Sequence, residues 1–532
     1  MPYCNVAEPF LDSVHAHPQK IAVVFDGRTI SYGELNDRIN CVARVLIEDL
    51  EVGVGDRVAY LLPNCPELLE VYYAVQKIGA VAVPLNFKSI AREIGCLVNA
   101  SGAKVLVFAK RFARMVADAA PDFCEPVSLA CADGFVDGAF SLMKSFERDN
   151  PDEPMLFRGS SALSRIQYTG GSMGVPKGAA RTHQADLVEL DAVMDSNGVA
   201  DDADNVVLVQ CPLEHHGGHS WFTMALAAGA TLVVCGAFDA ENILHLIERY
   251  RVTYMILLPP TTYRRLLRCP AIGRYDLSSV RLVQSAAGAM PKAIAQLIYD
   301  YFPNAVLNYG WGQSESGAGT SLRITREMLE ADSPLLESVG FPMKHVEMKV
   351  VDERGVELSN GEVGEALFRS QSVMEGYYGQ DGSADSVFTD DGWLCTGDLM
   401  MRDDKGCFYL LSRKKDVVKS GGENVFASEV ENAIRAHPDV EDCLVFGARD
   451  PILGEAVAAV VQPRIGAALT EEEIRDHCKR LMASYKKPRY VTFVEDMGRD
   501  DAGKVRKGDI IDCFNERRGE WENGVERGSE AT

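Results

Sequence analysis

Tyr168-Thr169-Gly170-Gly171-Ser172-Met173-Gly174-Val175-Pro176-Lys177-Gly178 is the stretch from which the rest of the chain can be read. Glycines at this density let the backbone fold back and bring successive N–H groups close to a bound group. A concave row of such donors holds anions, phosphate above all. Lys177 adds a mobile positive charge, and Thr169 and Ser172 add hydroxyl donors. The expected occupant is a nucleotide polyphosphate. Two familiar phosphate loops are excluded by residue order. A Walker loop needs Gly-Lys followed by Ser or Thr. Here Lys177 lies between Pro176 and Gly178, and the Gly503-Lys504 pair is followed by Val505. A dinucleotide fingerprint is missing too, because Gly310-Trp311-Gly312 and Gly317-Ala318-Gly319 lack the third glycine at the right place.

Upstream of this stretch, short apolar runs alternate with helical patterns. Residues 21–24, 58–62, 81–84 and 105–108 read as buried strands. Ser31 with Glu34 reads as a capping box for a helix to about Leu50, and Pro66 opens a second helix through Lys77. Strands alternating with helices predict an α/β fold of parallel sheets covered by helices. Residues 118–157 are poorly patterned and expected at the periphery. Downstream, strands are expected at 206–210, 231–235, 255–258 and 280–284, with a helix from about Ser220 to Ala228. Three histidines in Pro212-Leu213-Glu214-His215-His216-Gly217-Gly218-His219 raise a zinc reading. It is disfavoured, because glycines weaken the shared helix face and no carboxylate ligand is evident.

The glycine-rich stretch resembles the phosphate loop of the adenylate-forming superfamily. That superfamily includes acyl-CoA synthetases, aryl-CoA ligases, nonribosomal adenylation domains and firefly-type luciferases. Its loop usually reads Tyr-Thr-Ser-Gly-Thr-Thr-Gly-x-Pro-Lys-Gly. The chain keeps Thr169, Gly171, Gly174, Pro176, Lys177 and Gly178 and departs at Gly170 and Met173, where Ser and Thr are usual. Backbone N–H groups and Ser172 must then carry more of the grip. Further motifs follow in the family's order over nearly the whole chain, from about Val6 to Lys507. The resemblance places adenine near Gly288 and Ala289 in the small-residue run 285–291. In Trp311-Gly312-Gln313-Ser314-Glu315 it implies that Trp311 stacks on adenine, Ser314 touches phosphate and Glu315 binds Mg²⁺. Asp398 and Arg413 would hold the ribose, and Lys504 would reach the α-phosphate and the acid's carboxylate. His215 would border that carboxylate. The acid pocket would draw on His215, Trp221, Met224 and Ala287. Lys419, Gly421 and Gly422 would contact CoA, with Lys415 as hinge.

Taken singly, several of these have plain structural readings: a packing histidine for His215, close helix–strand packing for the small-residue run, a turn cap for Asp398, an exposed basic loop for Lys504. Together they imply an AMP-forming acid–CoA ligase. Residues 1–414 would form a large domain binding ATP and an apolar aryl or medium-chain acid. Residues 415–532 would form a small, mobile α+β lid, capped helices being expected at 428–436 and after Thr470. The apolar face of the latter would be Ile474, Cys478, Leu481 and Met482, and the tail from about 516 would be mobile. A stand-alone enzyme loading an acid onto a carrier protein is the alternative. An amino-acid substrate is disfavoured, since no carboxylate lies between His215 and Cys235 to pair its ammonium.

Composition narrows the setting. A net charge of −23 over 532 residues argues against nucleic-acid binding and anionic membranes. The 14 cysteines are dispersed without a Cys-x-x-Cys pair, which fits a reducing cytoplasm better than a disulfide framework. No signal peptide, membrane span or carrier domain is expected. A homodimer is left open.

Overall fold

The computed structural model describes residues 3–147, 152–169, 177–199, 204–288, 290–379, 387–420, 423–499 and 505–516. Gly170, Gly171, Ser172, Gly174, Ala289, Gly421, Gly422 and Lys504 lie outside the described residues, as does the tail beyond 516. The chain packs as two units, residues 1–348 with 368–394, and residues 349–367 with 395–532. This division differs from the 414/415 boundary expected from the sequence.

Two sheets build the larger unit. Among the described residues, the first has eight strands in the order Gly376–Tyr377, Lys177–Thr182, Leu163–Thr169, Val81–Pro84, Arg57–Leu61, Val105–Phe108, Ser128–Cys131 and Phe140–Ser141. The strands from Leu163–Thr169 onward run parallel, and the first two are antiparallel to their neighbours. Among the described residues the second sheet carries six mutually parallel strands, Val306–Tyr309, Leu282–Ser285, Tyr254–Ile256, Val206–Val209, Thr231–Val234 and Ile21–Phe25. Parallel strands buried on both faces favour continuous apolar runs; Val81–Pro84, Val105–Phe108 and Val206–Val209 are such runs, whereas Leu282–Ser285 and Val306–Tyr309 each bury an amide, Gln284 and Asn308. On the first sheet Val58, Tyr60, Val105 and Val107 face one apolar cluster, while Ala59, Leu61, Leu106 and Phe108 face another. The former cluster also takes Val207, Val209, Leu232 and Val234 of the second sheet. Helices Tyr32–Arg44, Pro66–Lys77 and His216–Ala227 contribute Ile39, Tyr72 and Phe222 to the same core. Asn64, just past Arg57–Leu61, ties the two sheets together at their strand ends. Its Nδ2 donates to the carbonyls of Cys211 (3.1 Å) and Cys235 (2.9 Å), and its Oδ1 accepts from Leu213 N (2.8 Å).

In the smaller unit, strand Val440–Asp450 pairs with Gly454–Pro463. Cys443 and Val445 face the helices Ala427–Arg435 and Glu471–Leu481, and Leu444 and Phe446 pack on Ile510 and Phe514. The mixture is α+β, as expected.

Most expected elements form within a residue or two, and four expectations need correcting. Residues 118–157 are not merely peripheral: Ser128–Cys131 and Phe140–Ser141 extend the first sheet, and Glu153 pairs with the fully buried Lys77. The helix expected from Ser220 begins at His216. Gly218 permits this, since a Cβ there would come within 2.0 Å of the Pro212 carbonyl oxygen. Ser428 does not cap its helix, which starts at Ala427 without a side-chain cap; Glu431 instead accepts from Val445 N (3.0 Å). Leu481 is exposed, whereas Ile474 and Cys478 are buried as expected.

Candidate functional site

Leu163–Thr169 and Lys177–Thr182 pair antiparallel, with Thr169 opposite Lys177, so the glycine-rich stretch connects the two strands of a hairpin. Gly376–Tyr377 adds to the outer edge of that hairpin, with Tyr377 opposite Ala179. This register sets the Tyr377 ring beneath Lys177, whose Nζ lies 4.9 Å from the ring centroid. The Tyr377 hydroxyl donates to Glu315 Oε1 at 3.0 Å. Glu315 sits in the turn between strands Gly312–Gln313 and Gly317–Ala318. Its carbonyl accepts from Met374 N (2.9 Å), and Ser372 Oγ donates to the Ser316 carbonyl (2.8 Å). Lys177 and Glu315, far apart in sequence, are thus gathered around one phenol. An ammonium, a hydroxyl and a carboxylate in that order suit a phosphate chain carrying a divalent cation. Sequence reasoning gave Tyr377 no role.

Behind the hairpin lies a buried ionic network. Arg165 grips Asp186 with two parallel bonds, Nε to Oδ2 and Nη2 to Oδ1, each 3.0 Å. Arg181 donates from Nε to Asp186 Oδ1 (2.7 Å), from Nη2 to Glu189 Oε2 (2.7 Å) and from Nη1 to the Ser314 carbonyl (3.3 Å). Glu189 Oε1 accepts from Ser220 Oγ (2.8 Å), Ala318 N (3.2 Å) and His216 Nε2 (2.9 Å). The other ring nitrogen of His216, Nδ1, lies 2.9 Å from Arg165 Nη2. A guanidinium only donates, so Nδ1 accepts, Nε2 carries the proton, and the imidazole is neutral. Burial alone would raise the Asp186 carboxyl; Arg165 and Arg181 outweigh it and hold it well below its usual range. Glu189 is likewise held down, by His216 and Arg181 against burial. Of these residues, Arg165, Arg181, Asp186 and Glu189 were not singled out from the sequence.

Next in chain to that network, His215 stands at the N-cap position of helix His216–Ala227 without a side-chain capping bond. Trp221 and Met224 of that helix are buried in the apolar core, and His219 bonds the Tyr72 hydroxyl (2.8 Å). His216 and His219 therefore turn to separate partners, and no group of three or more metal-ligating side chains forms among the described residues. Glu214, just before His215, is only 2% exposed, and neither carboxylate oxygen has a hydrogen-bond partner. Burial pushes its carboxyl up to about 8. Ala287 has a left-handed backbone (φ 62°), and the Tyr309 hydroxyl donates to the Gly288 carbonyl (2.9 Å). Trp311 is 8% exposed, and its ring edge abuts Gly319, where a Cβ would fall 2.7 Å from Cζ3.

The AMP-binding enzyme family model matches residues 10–378, and the model of that family's C-terminal domain matches residues 429–504. The chain belongs to the AMP-binding enzyme family. A feruloyl-CoA synthase from Amycolatopsis sp is 32% identical over 93% of this chain and 96% of its own. An indoleacetate–CoA ligase from Aromatoleum aromaticum is 32% identical over 93% and 95%. The solved structure of ATP-bound MatB from Rhodopseudomonas palustris is 28% identical, with a TM-score of 0.85, covering 96% of this chain and 99% of that one. The adenylate-forming character implied by the motifs is thereby shown.

In this AMP-binding enzyme the smaller unit holds the remaining predicted residues. Asp398 and Arg413 are cross-strand neighbours, with Arg413 Nε 2.7 Å from Asp398 Oδ1, so the two positions assigned to ribose share one spot. Thr396 Oγ1 accepts from Asp398 N (3.1 Å) and fixes the turn before it. Lys415 is exposed in the single turn Lys414–Asp416, and Asp416 pairs with Lys507. Lys419 is exposed on Val417–Ser420, with its N–H bound to Glu455.

Proposed function

We propose that the chain is an AMP-forming ligase that activates an aryl carboxylic acid with ATP and passes the acyl group to CoA. The gathering of Lys177 and Glu315 around Tyr377 carries this reading. A free carboxylate resists attack by a nucleophile because oxide is its leaving group. Attack of the acid's oxygen on the α-phosphorus of ATP expels pyrophosphate and installs AMP as a good leaving group. Such a step depends mainly on positioning and charge neutralisation. Lys177, with the N–H groups of 170–174, would hold the β- and γ-phosphates, and Ser314 would touch them. The base would lie at Gly288, Ala289 and Trp311, the ribose at Asp398 and Arg413. One carboxylate, Glu315, with phosphate oxygens and water beside it fits Mg²⁺, which seldom takes more than one or two protein ligands. The ion would supply charge neutralisation as pyrophosphate departs. Lys504 would meet the reacting oxygens.

The CoA thiol then attacks the acyl carbon and AMP leaves, with Lys419, Gly421 and Gly422 at the pantetheine arm and Lys415 as hinge between the two poses. His215, Trp221, Met224 and Ala287 would border the acid. Feruloyl-CoA synthase, indoleacetate–CoA ligase and 4-coumarate–CoA ligase are named for flat aromatic acids with short side chains, which supports an aryl substrate over a medium-chain one. Among the described residues no helix is long and apolar enough to cross a membrane, in keeping with a cytoplasmic setting.

The test is pyrophosphate release with cinnamic, arylacetic, benzoic and C6–C12 fatty acids, with and without CoA. Aryl acids should release pyrophosphate and yield aryl-CoA. ADP as product, or no turnover with any acid, would overturn the reading. For Lys415→Pro, adenylation should persist while thioester formation slows; equal slowing of both would remove the hinge role.

A further inference from the structure

We infer that Arg181 and Glu189 are positioning residues that fix the turn carrying Glu315, and with it the metal-facing carboxylate. The inference rests on the reading of Glu315 given above. Arg181 stands four residues beyond Lys177 on the same strand. Its Nη1 reaches the Ser314 carbonyl (3.3 Å), one residue before Glu315. Glu189 Oε1 takes Ala318 N (3.2 Å), three residues after it. The turn is therefore clamped at both ends by two side chains that also clamp each other, Nη2 to Oε2 at 2.7 Å. Gly317 lies so near this clamp that a Cβ would sit 3.0 Å from Glu189 Oε2. The same two residues connect through Asp186 to Arg165, and through His216 and Ser220 to the helix His216–Ala227.

Stability alone gives no reason for such a cluster. Well-packed apolar side chains of similar volume often hold a protein together as well as, or better than, a buried ion network. They cannot bond a carbonyl and an N–H at set distances. A guanidinium can, because its donors are fixed in a planar fork. Lysine in place of Arg181 keeps the charge beside Asp186 but loses the fork, so Glu189 and Ser314 cannot both be held.

The test uses the full-length protein and Mn²⁺ as the probe. Free Mn²⁺ is followed by electron paramagnetic resonance to obtain the dissociation constant of Mn²⁺·ATP. Metal-free ATP is titrated calorimetrically with chelator present. Arg181→Lys and Glu189→Gln should each weaken Mn²⁺·ATP about five- to tenfold, with metal-free ATP changed less than twofold. Lys77→Met, which breaks a separate buried cluster with Asn36, Asn40 and Glu153, should lower Tm and leave both constants unchanged. If both Arg181→Lys and Glu189→Gln lower Tm without moving the Mn²⁺·ATP constant, or weaken ATP equally with and without metal, the inference is overturned. Should Arg181→Lys not fold, Glu189→Gln decides alone, since it keeps the size and one acceptor oxygen. Glu315→Gln separates the two levels: unchanged Mn²⁺·ATP binding there would remove the metal role of Glu315 itself.

Discussion

Glu189 and Glu214 lie in the same unit, equally hidden from water and close to the start of the same helix, yet they are driven in opposite directions. Glu189 has an arginine, a histidine, a serine hydroxyl and a backbone N–H on its two oxygens and stays ionised below its usual range. Glu214 has nothing on either oxygen and is neutral until about pH 8. Burial is common to both, so partners decide the charge. The pH windows of the two differ accordingly. Glu189, with its folded pKa depressed, contributes stability above the ordinary carboxylate range that is lost as pH falls. For Glu214, with its folded pKa raised, the contribution is complete below that range and is lost as pH rises toward 8.

The harshest way to break the contrast is to take a carboxylate out of the satisfied side. Asp186→Ala leaves Arg165 and Arg181 short of a partner and should cost the larger unit about 3–5 kcal/mol, read from the first urea transition at pH 7. A loss under about 1 kcal/mol would mean that the guanidinium groups find water or new partners. Removing the charge on the unsatisfied side should do the opposite. Glu214→Gln should match wild type near pH 5 and exceed it by about 2–4 kcal/mol at pH 9, in urea curves across that range. Parallel pH profiles for the two proteins would show that Glu214 ionises freely, through partners gained in solution. Glu315 is half-buried, with a phenol on one oxygen. Tyr377→Phe removes that bond and should weaken Mg²⁺·ATP binding about fivefold, worth about 1 kcal/mol, with Tm nearly unchanged.

Much of the larger unit was legible because parallel strands covered on both faces are spelled as uninterrupted apolar runs; residues 81–84 and 105–108 match strands Val81–Pro84 and Val105–Phe108 end to end. Helix starts were legible where a cap is made of side chains, as at Ser31 and Thr470. They were not where packing sets the limit. The pair Gly217-Gly218 reads as a helix breaker, and only the nearby Pro212 carbonyl explains why a side chain is excluded at Gly218. Ser428 followed by Glu431 spells a capping box, but Glu431 is drawn off to Val445 N and Arg435. Motifs alone singled out Lys177 and Glu315, which the fold gathers around Tyr377, and Asp398, which it pairs with Arg413. Arg165, Arg181, Asp186 and Glu189 escaped because a charged residue in sequence carries no mark of depth. Arg165 precedes Ile166 on a strand where only every second side chain need face the core, so it passes for the solvent side. Tyr377 escaped because its place beneath Lys177 depends on strand addition at the hairpin edge, a pairing that only the tertiary fold reveals.

Asn64 carries an implication for changing this protein by design. With one amide it spans from the first sheet to the backbone on either side of the second sheet's crossover, and on to Leu213, two residues before His215. Grafting a different segment between 211 and 235 therefore has to preserve the backbone path that this amide reads, or the two halves of the scaffold will drift out of step. Libraries confined to side chains, with residues 64 and 211–213 left untouched, keep that alignment.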